Sequence, residues 1–231
     1  MSLLLQIQSV PDSLTNPEIT EKTLSVVDLI TSGGTGGNLV MGALGILSIF
    51  AIYILIERFS AIKKASKEDE NFLKSIQNFV EAKDIEAAKT LCRNTDSPIS
   101  RMIEKGVNRI NKPMTDISAA IENQGKLEVF KMENNLANLA TISGAAPMIG
   151  FLGTVIGMIV AFHEMASAGG NIDVEMLSKG IYTAMTTTVA GLIVGIIAFI
   201  AYNYLVSKVD KVVFMLEAKT TEFLDLLHHN E

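Results

Sequence analysis

Residues 180–207 decide the fold: "GIYTAMTTTVAGLIVGIIAFIAYNYLVS" contains no Asp, Glu, Lys or Arg. An apolar run of more than about 18 residues without charge is long enough to cross the hydrocarbon core of a bilayer as a helix. Two further runs of this kind are residues 39–56, "LVMGALGILSIFAIYILI", and residues 139–162, "LATISGAAPMIGFLGTVIGMIVAF". The sequence therefore predicts an all-α integral membrane protein with three transmembrane helices.

The composition agrees with this class of protein and excludes others. Apolar residues make up 48% of the 231-residue chain, and three long apolar runs are far more than the buried core helices of a soluble protein would supply. The net charge of −6 argues against nucleic acid as a partner, since phosphate binding needs a basic surface. The single cysteine, Cys92, cannot form an internal disulfide, and we interpret it as a small buried residue rather than a nucleophile. The sequence shows no nucleophile–base pair, metal-ligand cluster or phosphate loop, so we expect no enzyme activity, no metal and no cofactor.

The distribution of Lys and Arg predicts the orientation in the membrane. Fourteen of the nineteen basic residues lie between Arg58 and Lys131, and basic segments stay on the cytoplasmic side. The N-terminus is therefore predicted to be periplasmic and the C-terminus cytoplasmic. The predicted segments are a periplasmic N-terminal segment and linker (1–37), transmembrane helix 1 (38–57), a cytoplasmic helical domain (58–138), transmembrane helix 2 (139–163), a periplasmic loop (164–180), transmembrane helix 3 (181–206) and a cytoplasmic helical tail (207–231).

The cytoplasmic parts are predicted to be helical. Apolar residues at helical spacing indicate two or three short helices over 68–110, with a break at "NTDSP" (94–98). From Thr115 a helix is predicted to run without a stop into the second span. From Ile181 to His228 a single helix would measure about 72 Å. The second and third membrane helices thus extend into the cytoplasm and form a helical bundle, whereas "TSGGTGGN" (31–38) is predicted to be a flexible linker before the first.

Stripes of small residues predict how the spans pack. In lipid, close approach of small residues replaces the hydrophobic drive that associates helices in water. Two interpretations stay open: contacts between subunits as well as within one, or an intrachain hairpin of the second and third spans. The predicted packing residues are Gly150, Gly153, Gly157, Gly191 and Gly195.

Threonines lie beside these stripes. A single Thr hydroxyl in a helix commonly bonds the carbonyl four residues earlier and does nothing more. Clustered hydroxyls can instead hold water and line a polar path without charge, because each is both donor and acceptor. The predicted path residues are Thr154, Thr183, Thr187 and Thr188, together with Pro147, which frees the carbonyl of residue 143.

No titratable group lies at depth in any span. A proton path needs one, so a second protein with an acidic residue on a membrane helix is the simplest source. His163 and Glu164, at the outer end of the second span, are interpreted first as interfacial residues and second as a proton entrance.

Two motifs, "GAAPMIGFLGTVIGM" (144–158) and "GIYTAMTTTVAGLIVGIIAFIAYNYL" (180–205), resemble the second and third spans of the MotA/TolQ/ExbB proton channel family. The three-span layout and large first cytoplasmic segment resemble the ExbB/TolQ branch. The pore threonines of the family match Thr154 and Thr188. Many relatives carry a glutamate where this chain has Thr183, which agrees with the absence of an acid in its spans.

The resemblance implies a homopentamer in the bacterial inner membrane. It also implies a central pore that holds helices of an ExbD-like single-span partner, whose membrane aspartate carries the proton. The expected function is an ExbB-like subunit that converts proton motive force into mechanical work on a TonB-like protein for outer-membrane transport. The alternatives are a TolQ-like subunit, a stator subunit of a gliding or secretion motor, and a membrane scaffold that conducts no ions.

Overall fold

The structure is a computed structural model that describes residues 34–66, 70–167 and 174–229. Within these ranges all regular secondary structure is α-helical. The predicted periplasmic segment lies almost entirely outside the described residues, as do residues 168–173 of the predicted periplasmic loop. The helices are α1 (Gly34–Ala65), α2 (Glu70–Glu81), α3 (Ile85–Asn94), α4 (Pro98–Val107), α5 (Met114–Glu133), α6 (Leu136–Ser167) and α7 (Val174–His229).

Three stretches of helix are long and apolar enough to cross a membrane, which confirms the predicted fold class. They are the greater part of α1, the α5–α6 region and nearly all of α7, with mean hydropathies of 2.6, 2.1 and 2.2 in their most apolar windows. In the α5–α6 region the charge-free sequence lies in α6. The prediction of a flexible linker up to residue 38 is wrong at its end, because α1 already begins at Gly34.

The prediction of one helix from Thr115 into the second span is also wrong. Helix α5 ends at Glu133 and α6 begins at Leu136. Between them Asn135 adopts a left-handed conformation with φ of 65°. Asparagine tolerates this conformation because its short side chain can form local hydrogen bonds. The pair Asn134–Asn135 is therefore the stop signal, just before the second span.

The three short helices α2–α4 confirm the prediction for residues 68–110. The Asp84 carboxylate caps α3 by accepting a hydrogen bond from the Ala87 amide at 3.0 Å. Ser97 caps α4 in a reciprocal arrangement with Ser100, and a proline follows at the first helical position. These caps fix the break that the "NTDSP" sequence predicts.

Helix α7 is a single helix of 56 residues, so the prediction of one long helix from the third span into the tail is confirmed. Its membrane part packs against α6 and α1, and its tail packs against α2, α4 and α5. The tail contributes large buried side chains to one continuous core: Val209, Leu216, Phe223 and Leu227. Burial of these side chains in water stabilises the part of the bundle outside the membrane.

Candidate functional site

Helices α6 and α7 approach each other through glycines. A Cβ atom on Gly191 would lie 2.6 Å from the Ala146 carbonyl oxygen and 2.8 Å from the Gly150 Cα. The ring of Pro147 lies where a side chain on Gly195 would be. Only glycine permits backbones this close. The small stripes of the two spans therefore face each other in an intrachain hairpin.

The other two packing glycines lie in the same hairpin. A Cβ on Gly157 would lie 3.0 Å from the Cβ of Ala184. A Cβ on Gly153 would lie 2.5 Å from the Thr187 hydroxyl and 2.9 Å from a methyl of Val40. Gly153 thus marks the point where α1 joins the two-helix contact.

Three threonine hydroxyls converge on one backbone carbonyl in this contact. The hydroxyl oxygens of Thr187 and Thr188 each lie 3.2 Å from the carbonyl oxygen of Gly150, and that of Thr154 lies 3.4 Å from it. The hydroxyls of Thr154 and Thr188 are also hydrogen-bonded to each other across the two helices. Thr154 lies 3.3 Å from the Ala184 carbonyl oxygen as well. We call Thr154, Thr187, Thr188 and the Gly150 carbonyl the hydroxyl cluster.

The threonines of the hydroxyl cluster differ in their solvent exposure. Thr187 is 1% exposed and locked between the helices, where its closest acceptor is the Ala184 carbonyl at 2.7 Å. Thr154 and Thr188 are partly exposed. The Thr154–Thr188 pair therefore lies at the surface of the chain, where water or a partner can reach it, while Thr187 lies behind the pair.

Two predicted path residues lie outside the hydroxyl cluster. Thr183 is 8% exposed, and its methyl group lies 3.2 Å from where a Cβ on Gly37 would be. Pro147 packs against α7 at Gly195. The structure thus brings together three of the four predicted threonines and leaves Thr183 and Pro147 in packing contacts.

Two threonines outside the hydroxyl cluster bond locally. Thr186 donates to the Tyr182 carbonyl at 2.9 Å, and Thr141 donates to the Ala137 carbonyl at 2.9 Å. Each acceptor is four residues earlier in the same helix, which is the ordinary behaviour of a helical Thr. The interhelical bonds of the hydroxyl cluster distinguish it from these two threonines.

Sequence reasoning missed a buried carboxylate outside the membrane. Glu128 of α5 is 2% exposed and accepts hydrogen bonds from Arg101 at 2.7 Å, Lys131 at 2.9 Å and Gln124 at 2.8 Å. Burial by itself raises the pKa of Glu128, but the bonds from Arg101 and Lys131 outweigh burial, and the net pKa is lowered. The available signal was its position, because it lies one helical turn before the buried Met132 on the apolar face of α5.

A second unpredicted contact ties α1 to the α5–α6 junction. Arg58 is the first cation after the first span, and its side chain is 10% exposed. It donates to the Lys131 carbonyl at 2.9 Å and is paired with Glu57. The cationic end of α1 is thereby fixed close to the point where α5 ends.

The remaining titratable candidates do not form a site. Cys92 is 2% exposed, which confirms its interpretation as a buried residue. Desolvation, with a smaller contribution from the charge of Glu104, raises its pKa to about 12, so the thiolate is disfavoured. His163 and Glu164 are both exposed at the end of α6. Among the described residues no group of three His, Cys, Asp or Glu side chains could hold a metal ion.

The chain matches the model of a protein family described as the MotA/TolQ/ExbB proton channel family over residues 94–218. It is 26% identical over 187 residues to a biopolymer transport protein ExbB homolog of Methanothermobacter thermautotrophicus, covering 80% of this chain and 64% of the relative. It is 40% identical over 79 residues to the biopolymer transport protein ExbB of Helicobacter pylori, covering 34% of this chain and 54% of the relative. It is 24% identical to the Tol-Pal system protein TolQ of Pseudomonas aeruginosa, covering 92% of this chain and 96% of the relative. The chain thus spans between about half and two thirds of the two ExbB-type relatives and nearly all of the TolQ relative.

Proposed function

The chain belongs to the MotA/TolQ/ExbB proton channel family, and we propose that it is the channel-forming subunit of an ExbB-type complex. In this function several copies surround a polar path through a bacterial inner membrane. Protons moving along the path drive a mechanical change that a TonB-like protein passes to outer-membrane transporters.

The observation that carries the proposal is the Thr154–Thr188 pair. It lies in two spans that contain no charged residue, yet it is partly exposed at the surface of the chain. Two hydroxyls that already bond each other and the Gly150 carbonyl can exchange one of these bonds for a bond to water. A ring of such pairs, one from each copy, would hold water in the membrane at a lower insertion cost than a ring of charges.

Because the spans of this chain lack an acidic residue, a partner protein has to supply one. Proton transfer through the membrane interior uses titratable side chains, and the spans of this chain supply no acidic residue at depth. We propose that an ExbD-like single-span protein places a membrane aspartate beside the Thr154–Thr188 pairs of a homopentamer. The electrical energy is sufficient to drive a mechanical step, since one elementary charge crossing 100 mV releases about 2.3 kcal/mol.

A TolQ-like function is the second candidate. The observation in its favour is the Pseudomonas aeruginosa TolQ relative, because the alignment covers almost the full length of both chains. The channel mechanism would be the same, and a TolA-like protein would replace the TonB-like protein. Restoration of TonB-dependent uptake in a strain lacking its own ExbB, without restoration of Tol-dependent envelope integrity in a strain lacking TolQ, would favour the first candidate.

The hydroxyl path is tested by Thr154→Val and Thr188→Val in the complex with its partner. Valine keeps the shape of threonine and removes the hydroxyl, so we expect normal assembly. Proton flux into vesicles under an imposed potential should fall about tenfold or more, which corresponds to about 1.4 kcal/mol on the barrier. Thr188→Ser keeps a hydroxyl at this position, so this variant should retain much of the wild-type flux.

Thr186→Val is the matched control, because Thr186 directly precedes the cluster residues of α7, yet its hydroxyl donates to the Tyr182 carbonyl of its own helix. This variant should conduct like the wild type. Full flux in both Thr154→Val and Thr188→Val would contradict the hydroxyl path. No flux in the wild-type complex would favour a scaffold that conducts no ions.

A further inference from the structure

A basic pocket lies between α1 and α7 where both helices leave their apolar spans. Its volume is about 410 Å³. The side chains that matter here are Phe59, Lys63 and Ser66 of α1 and Tyr204, Lys208 and Lys211 of α7. We call it the lysine pocket.

The depth of the lysine pocket matches the headgroup layer of a bilayer. The charge-free run of α1 ends at Ile56 and that of α7 at Ser207. Phe59 lies one turn beyond the first end and Lys63 about two turns beyond it, or roughly 10 Å. A bilayer has about 5–8 Å of headgroup region on each side of its hydrocarbon core. The aromatic rings therefore lie at the edge of the hydrocarbon, and the ammonium groups lie at the level of lipid phosphates or can reach back to it.

Aromatic contacts organise the inner wall of the pocket. The rings of Phe59 and Tyr204 stack across the two helices with their centroids 6.3 Å apart. The ammonium group of Lys208 lies 5.4 Å from the centroid of the Tyr204 ring. This contact holds one cation at the pocket without neutralising it.

The lysines of the pocket, Lys63, Lys208 and Lys211, are not bound in ion pairs within the part of the chain that the structure describes. Lys64, the next residue after Lys63, instead points away and pairs with Asp96 at 2.6 Å. Three cations that share one concave site attract an anion.

We propose that the lysine pocket binds the phosphate headgroup of an anionic phospholipid. The three ammonium groups would contact the phosphate, and the exposed Ser66 at the rim offers a further hydroxyl. The apolar wall and the adjoining hydrocarbon would hold the acyl chains, and a free phosphate ion would lack this second contact. The site is distinct from the hydroxyl cluster and does not depend on proton conduction.

The test measures lipid retention by the purified full-length protein in detergent, with native mass spectrometry during titration with phosphatidylglycerol. The wild type should retain it at least about tenfold more tightly than the triple variant Lys63→Gln, Lys208→Gln, Lys211→Gln, since each lysine near an anionic lipid contributes several-fold in affinity. Phosphatidylcholine with the same acyl chains should be retained weakly by both proteins. Glycerol 3-phosphate should not compete at millimolar concentration, which separates a lipid site from a free-phosphate site.

Two controls keep the proposal open to refutation. Lys64→Gln removes a cation at nearly the same depth from outside the pocket and should leave retention unchanged. The triple Lys→Arg variant keeps the charge and should retain the lipid. Equal retention of phosphatidylglycerol by the wild type and a correctly folded triple Gln variant would overturn the proposal, as would competition by glycerol 3-phosphate.

Discussion

The kind of polar group that is buried in this protein differs between the membrane part and the part in water. In the aqueous part Glu128 is buried as a carboxylate, because Arg101 and Lys131 compensate its charge. In the membrane part the buried polar groups are neutral hydroxyls, and their partner is a backbone carbonyl. The free-energy cost of an unpaired charge explains both choices.

The lowered pKa of Glu128 predicts a pH dependence of stability. A carboxylate with a lower pKa in the folded state stabilises the fold above its unfolded pKa of about 4.3. This contribution is lost as the pH falls through the lower, folded pKa. We expect Glu128→Gln to be destabilised by about 1–2 kcal/mol at pH 7, and the difference from the wild type should shrink towards pH 3. Thermal unfolding in detergent, followed by circular dichroism, measures it.

Glu122→Gln on the same helix provides the comparison for this prediction. Glu122 pairs with Lys126 at an exposed position, where an ion pair contributes little. Its thermal unfolding should follow the wild type from pH 3 to pH 7. A difference between Glu128→Gln and the wild type that does not change with pH would show that the Glu128 charge is not the cause.

The sequence predicted part of the site at this scale. Helical periodicity placed the threonines beside the glycine stripes, and in the structure the hydroxyls of Thr154, Thr187 and Thr188 lie together. It did not predict that Gly150 supplies the shared acceptor, since every helical residue has a carbonyl and only the packing selects one. Glu128 was missed because a single acid on an apolar face becomes meaningful only when Arg101 of another helix is placed beside it.

The α6–α7 hairpin depends on backbone contact at two glycines. An added methyl group at Gly191 would meet the Ala146 carbonyl and the Gly150 Cα, and neither can move without separating the helices. We expect Gly191→Ala to lower the free energy of unfolding by about 1–3 kcal/mol. The shift is measured by thermal or denaturing-detergent unfolding of the purified protein.

Gly144→Ala is the matched control in α6. A Cβ at Gly144 has no neighbour within 4 Å, so the variant should be neutral or more stable by about 0.5–1 kcal/mol because alanine favours helix. Equal destabilisation of Gly191→Ala and Gly144→Ala would contradict the packing of the hairpin.

The sequence was less informative about how helices end than about where they lie. Apolar runs and capping residues located the helices correctly, because both are local in sequence. The break at Asn135 was missed, since asparagine is tolerated both within helices and in left-handed turns. The tertiary position of the junction, beside Arg58 of α1, is what selects the turn.

At the scale of the whole molecule, large apolar side chains remain exposed beyond the charge-free spans. Leu127 is 55% exposed, Phe130 is 70% exposed and Phe214 is 74% exposed. Such side chains in water are typical of protein–protein contacts. They support the homopentamer proposed above, with subunits in contact along the bundle outside the membrane as well as within it.

We expect native mass spectrometry of the complex, co-expressed with its single-span partner, to show five copies of this chain. Phe130→Glu should shift the population towards smaller assemblies, because a charge would replace an apolar contact. Asn78→Glu, at an exposed position on α2, should keep the assembly intact. A wild-type chain that is monomeric in its complex, or a Phe130→Glu variant that assembles fully, would contradict this arrangement.

The unbroken length of α7 also has a mechanical consequence. Its 56 residues measure about 84 Å at about 1.5 Å per residue, and only about 30 Å can lie within hydrocarbon. A tilt of about 5° about one end would sweep the other through roughly 7 Å, more than the pitch of one helical turn. The helix that carries Thr188 can thus act as a lever. A small change in its tilt beside the hydroxyls would move its far end by a distance comparable to the length of a side chain.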